Sequence, residues 1–102
     1  MRRFVTDSWR RKHLIEQDVL VVNKLGLHAR AASKLVKLTA GFSSTIKLVG
    51  RDQEIDAKSI MGILMLAATQ GTTLILKVDG EDEADAAEAV RVLFSDYFGE
   101  GE

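Results

Sequence analysis

The chain contains no cysteine. That excludes a disulfide scaffold, thiolate zinc sites, iron–sulfur clusters and thiol catalysis, and it fits a reducing compartment. Proline is absent as well, and aromatic residues make up only 6% of the sequence. No apolar run approaches the roughly 20 residues a membrane span needs. The start MRRFVTDSWRRKHLIEQ is basic and lacks the apolar stretch of a secretory signal, so an untargeted, cytoplasmic protein is expected.

What is present is an ordinary globular mix. The chain has 102 residues, of which 46% are apolar and 28% charged. That length suits one domain. The net charge of −1 hides an asymmetry. Residues 1–17 carry five cations and two anions, net +3; residues 18–102 carry nine cations and thirteen anions, net −4. The acidic remainder argues against nucleic-acid binding, even if the basic head were used for it. Residues 1–17 read as a solvated basic extension. Within it, Phe4 and Trp9 suit packing on the domain or a partner, and His13 has no companions for a metal site.

The pattern then alternates between two periods. Asp18–Asn23 holds the run Val19–Val22, which suits a strand buried on both faces or one too short to show its period. Leu27–Ala40 places Ala32, Leu35, Val36 and Thr39 at helical spacing and stops at Gly41. Ser43–Val49 and Gln53–Ala57 alternate on either side of the turn Gly50-Arg51-Asp52, as in a hairpin. Ser59 caps a short helix that runs to about Ala68. Thr72–Asp79 is a strand with Leu74, Leu76 and Val78 on one face. The last helix runs from about Asp82 to Phe98 and opens with acids that suit its dipole. Its apolar stripe is Ala87, Val90, Leu93, Phe94 and Tyr97. Residues 99–102 read as a flexible acidic tail. The order β-α-β-β-α-β-α implies an α+β sandwich of two layers, because sheet faces and helix stripes must bury each other.

One segment carries chemistry. Gly26-Leu27-His28-Ala29-Arg30 joins a strand to a helix and puts His28 at the helix N-terminus. The first turn of a helix offers unpaired N–H groups that attract anions. A positive helix end also disfavours an imidazolium, so a histidine there stays nucleophilic near neutral pH. Such a ring is suited to accept a phosphoryl group, with Arg30 as a further contact. A histidine and an arginine close together are not by themselves a specific signal.

Three blocks in register are. Asn23-Lys24-Leu25-Gly26-Leu27-His28-Ala29-Arg30-Ala31-Ala32 resembles the active-site segment of HPr, the histidine phosphocarrier of the bacterial phosphotransferase system. Lys58-Ser59-Ile60-Met61-Gly62-Ile63-Leu64 is similar to that family's regulatory-serine segment. Gln70-Gly71-Thr72 and Gly80-Glu81-Asp82-Glu83 follow at family spacing, so the resemblance covers about residues 18–98.

The resemblance implies an open-faced sandwich, with an antiparallel sheet in order 1-4-2-3 and three helices on one face. It implies a phosphocarrier without turnover of its own, which works as a monomer and needs no cofactor, metal or membrane insertion. His28 would take a phosphoryl group on Nδ1 from phospho-enzyme I, charged by phosphoenolpyruvate, and pass it to sugar-specific IIA domains. Arg30 would contact the phosphoryl group. Ser59 would be the target of an HPr kinase/phosphorylase. The alternative within the family is a regulatory homologue of the nitrogen branch; the catabolite co-repressor relative typically lacks the histidine. Met61, Met65 and Leu66 suit core or docking positions. Ala31 stands where the family commonly has proline; alanine is an excellent helix former, so the helix should persist.

Overall fold

The computed structural model describes residues 14–102. Phe4, Trp9, His13 and most of the expected basic extension lie outside the described residues. The chain forms β1 (Ile15–Leu20), α1 (Ala29–Thr39), β2 (Thr45–Gly50), β3 (Gln53–Asp56), α2 (Ile60–Leu66), β4 (Thr73–Asp79) and α3 (Glu83–Ser95). A short 3₁₀ turn, Tyr97–Gly99, follows. The strands form one antiparallel sheet in the order β1-β4-β2-β3. The three helices cover one face, as the resemblance implies.

Alternation decides which side chains meet the helices. Val19, Ile46, Leu48, Leu74, Leu76 and Val78 point inward and are buried. They meet Ala31, Ala32 and Leu35 of α1, Ile63 and Leu66 of α2, and Ala86, Val90 and Phe94 of α3. The opposite face is mixed, with the exposed Leu20 and Ile75 beside charged residues. There Lys77 reaches Glu54 at 3.1 Å and Glu16 at 3.8 Å, and Lys47 reaches Glu54 at 3.4 Å. Exposed pairs of this kind contribute little each.

The first strand and the last helix differ most from the sequence reading, and the first strand ends at Leu20 rather than Asn23. The first strand begins at Ile15, inside the stretch read as extension, because Ile15↔Val78 to Leu20↔Thr73 pair along β4. It is one-sided: Val19 is buried while Leu20 is exposed. The last helix ends at Ser95 rather than Phe98. Tyr97 and Phe98 take left-handed φ values of 58° and 53° and turn the chain back. The turn buries Phe98 completely against Phe94, with ring centroids 4.8 Å apart, and leaves Tyr97 exposed. The apolar position past Phe94 is therefore Phe98 and not Tyr97.

The tail does not run free. Lys24 N donates to Glu102 O at 2.9 Å, and the Glu100 side chain is held by two partners described below. Burial of Phe98 supplies the anchor that the sequence pattern hides. Among the described residues, no helix is long and apolar enough to cross a membrane.

Other links fix the layers. Asp82 does not cap its own helix through its side chain. It accepts from Ser43 N at 2.8 Å, from Ser44 N at 2.9 Å and from the Ser44 hydroxyl, tying the start of α3 to the start of β2. Thr39 Oγ1 donates to Ala57 O at 2.9 Å and so joins the end of α1 to the segment before α2.

Candidate functional site

The loop between β1 and α1 is rigidly seated. Val21 N donates to Thr72 O, and Gly71 N donates to Val21 O, extending the β1–β4 pairing by one exchange. Residues 23–26 then form a turn in which Gly26 N donates to Asn23 O and Asn23 Nδ2 donates to Gly26 O at 2.8 Å. Gly26 has φ +70°, and a Cβ there would come within 2.5 Å of Ala68 O, so only glycine fits without a shift. Leu27 is buried and its N–H donates to Ala68 O at 3.0 Å.

This anchored backbone delivers His28 as the N-cap of α1, with φ −79° and ψ −179°. Its carbonyl accepts from Ala32 N at 2.8 Å, the first bond of the helix. Its Nδ1 accepts from Arg30 N at 3.3 Å. A ring nitrogen that accepts from an N–H carries no proton, so the proton sits on Nε2. Nε2 donates to Glu100 Oε2 at 2.6 Å, and Asn23 Nδ2 donates to the other carboxylate oxygen at 2.9 Å. The result is a histidine whose Nδ1 lone pair faces the N–H groups of a helix start. Ala31, the third helical residue, is fully buried and helical, as expected of alanine there.

Burial raises the pKa of Glu100. The hydrogen bonds from Asn23 and His28, with the nearby charge of Lys34, outweigh it and hold the carboxyl below its usual value of 4.5. Glu100 is therefore ionised at neutral pH.

Arg30 is the second residue of the helix and is exposed, and among the described residues its guanidinium makes no ion pair. It lines a polar hollow of about 290 Å³ together with Leu25, Lys34, Gly99, Glu100 and Glu102. Lys34 Nζ donates to Phe98 O at 2.7 Å on the same side. The structure thus sets the backbone N–H of Arg30 against the His28 ring, while the Arg30 guanidinium lines the adjoining hollow. It adds Glu100, which the sequence does not point to, and a contact for Asn23, which the sequence offers only as part of the resembling segment. No local signal marks Glu100; the turn that delivers it depends on burial of Phe98.

Ser59 is the N-cap of α2, and its Oγ accepts from Gly62 N at 3.0 Å. Capping accounts for the residue structurally. Around it, Ile63 and Leu66 are buried, while Met61 and Met65 are 69% and 63% exposed. Leu25, in the histidine loop, is 68% exposed. The bond from Leu27 N to Ala68 O joins that loop to the segment following α2.

Comparison with known proteins places the fold and the sequence in one family. A family model described as "PTS HPr component phosphorylation site" matches residues 15–96. The phosphocarrier protein HPr of Cupriavidus necator is 47% identical over 89 residues, covering 87% of this chain and all of that one. The phosphocarrier protein HPr of Xylella fastidiosa is 47% identical, covering 85% of this chain and 98% of its own. Among solved structures, an HPr from Thermoanaerobacter tengcongensis superposes with a TM-score of 0.81 at 40% identity, covering 84% of this chain and 97% of that one. The chain belongs to the HPr family of phosphocarrier proteins of the phosphotransferase system.

Proposed function

We propose that Nδ1 of His28 is the phosphoryl acceptor. The observation that carries this is the placement of an unprotonated Nδ1 at the helix start, where it accepts only a long 3.3 Å hydrogen bond from Arg30 N. Phospho-enzyme I, charged by phosphoenolpyruvate, is the donor. As the Nδ1 lone pair forms the new nitrogen–phosphorus bond, the donor's bond to phosphorus breaks. The attack releases the Arg30 N–H from Nδ1, and the negative oxygens meet the N–H groups of the first turn and the positive end of the helix dipole. The exposed Arg30 guanidinium swings in as a charge-assisted contact. The group then passes to a IIA domain of a sugar permease. The carrier acts as a cytoplasmic monomer, without a cofactor and without turnover of its own.

The exposed apolar residues Leu25, Ile60, Met61 and Met65 form the surface on which these partners dock. Ser59, beside that surface, is the site of regulation by an HPr kinase. A phosphate there adds about −1.5 to −2 charge at the edge of the contact.

The test is direct. The chain is incubated with phosphoenolpyruvate and enzyme I, and acid-labile phosphate is measured. Wild type should label and His28→Ala should not, with both folded. Undiminished label on His28→Ala would remove the assignment.

A further inference from the structure

We propose that Glu100 is a positioning residue for phosphoryl transfer: its carboxylate keeps the proton on Nε2 of His28 while Nδ1 gains and loses the phosphoryl group. This rests on the reading of His28 as the acceptor.

The contact is built into the fold. One oxygen of the carboxylate accepts from His28 Nε2 at 2.6 Å and the other accepts from Asn23 Nδ2 at 2.9 Å. Asn23 is fully buried, and its amide also donates to Gly26 O, so both its hydrogens are committed. The backbone is pinned on both sides of Glu100. Lys34 Nζ donates to Phe98 O before it, and Lys24 N donates to Glu102 O after it. The Glu100 side chain is 9% exposed and that of His28 is 29% exposed, so solvent screens the pair less than it screens a surface pair.

The chemistry needs such a group. When Nδ1 attacks phosphorus, its lone pair becomes the new bond and no proton leaves the ring. The product is formally a phospho-imidazolium with its proton still on Nε2. The Glu100 carboxylate is the counter-ion of that cation and accepts its hydrogen bond. In the onward step the nitrogen–phosphorus bond breaks and its electron pair returns to Nδ1. With Nε2 protonated, the ring departs as neutral imidazole. Without that proton it would depart as an imidazolate, a far poorer leaving group. A carboxylate that holds an imidazole in one tautomer and stabilises the cation formed during reaction is an established device in histidine chemistry. The other charged groups around the hollow are Arg30 and Lys34 on α1 and Glu102 in the tail. Of these, Lys34 favours the ionised form of Glu100.

The experiment uses the full chain as wild type, Glu100→Gln, Glu100→Asp and His28→Ala. Each is labelled with phosphoenolpyruvate and enzyme I, isolated, and followed for loss of phosphate from acid to alkaline pH. Circular dichroism checks the fold. Glu100→Gln should accept and release the group roughly tenfold more slowly at neutral pH, the scale of one charge-assisted hydrogen bond. Its release should also fall off at a lower pH than in wild type, because the phosphorylated ring loses its Nε2 proton earlier. Glu100→Asp should recover part of both effects. A tail that acts only by packing would change the rate equally at every pH. That result, or a wild-type rate and profile in Glu100→Gln, overturns the role of Glu100 alone. Absence of label at His28 in wild type would overturn the acceptor reading and this role together.

Discussion

Replacing Phe98 with alanine tests how the tail is held. The ring is fully buried and packs on Phe94 at 4.8 Å. Emptying such a site costs about 3–5 kcal/mol in a core that cannot collapse. Here part of that is returned. Tyr97 and Phe98 both sit in the left-handed region, which costs an L-residue about 1–2 kcal/mol each. Once the ring is gone, nothing holds the turn, and one or both residues relax. The expected net loss is about 2 kcal/mol, against a typical domain stability of about 5–15 kcal/mol. The variant should therefore stay folded at room temperature with a lower urea midpoint and a nearly unchanged slope. In the same variant, the His28–Glu100 contact should be lost, visible as a change in the His28 ring signals by NMR. A loss below about 0.5 kcal/mol with unchanged ring signals would refute the reasoning that Phe98 anchors the tail.

Further expectations concern individual side chains. Arg30→Ala should slow labelling of His28 by about tenfold to 150-fold without abolishing it, if the guanidinium contact is made in the transition state; a stopped-flow rate equal to wild type would place Arg30 in solvent throughout. Ser59→Ala should lower stability by about 1 kcal/mol through the lost cap, and leave labelling of His28 near normal. Ser59→Asp should slow that labelling, and ATP-dependent labelling by an HPr kinase should disappear in both variants. Asp82 is held down to about 2 from 3.8, first by the Ser44 hydroxyl and then by the backbone N–H of Ser43. A depressed carboxyl stabilises the fold above its unfolded value and loses that contribution as pH falls towards the folded one. Acid titration of Asp82→Asn should therefore show a flatter loss of stability between about 4 and about 2; an unchanged acid limb would show that the Ser43 and Ser44 contacts do not form in solution.

Much of this fold follows from periodicity. The strands Thr45–Gly50 and Thr73–Asp79 alternate cleanly because one face is packed and the other is wet. The hairpin turn at Arg51 and Asp52, both with positive φ, is legible from its polar residues after Gly50. β1 was harder to bound. Gln17 occupies an inward position near the strand's start, and the run Val19–Val22 masks the alternation. The placement of His28 and Ser59 at helix starts is legible because helix starts leave local marks: a turn glycine, a capping residue, then apolar spacing. Glu100 left none. Its contact with His28 spans 72 positions and depends on a turn made by two non-glycine residues at positive φ. Local propensity, with Gly99 and Gly101 on either side, reads that segment as loose, and burial of Phe98 overrides it.

The central claim is that phosphate enters at Nδ1 of His28. The most direct measurement is phosphorus NMR of chain carrying nitrogen-labelled histidine, after phosphorylation by phosphoenolpyruvate and enzyme I. The account predicts a single phosphorus signal coupled to Nδ1 of His28, and loss of that signal in mild acid. Coupling to Nε2 would contradict it, since that nitrogen donates its proton to Glu100 at 2.6 Å. An acid-stable signal, or one that persists in His28→Ala, would contradict it equally.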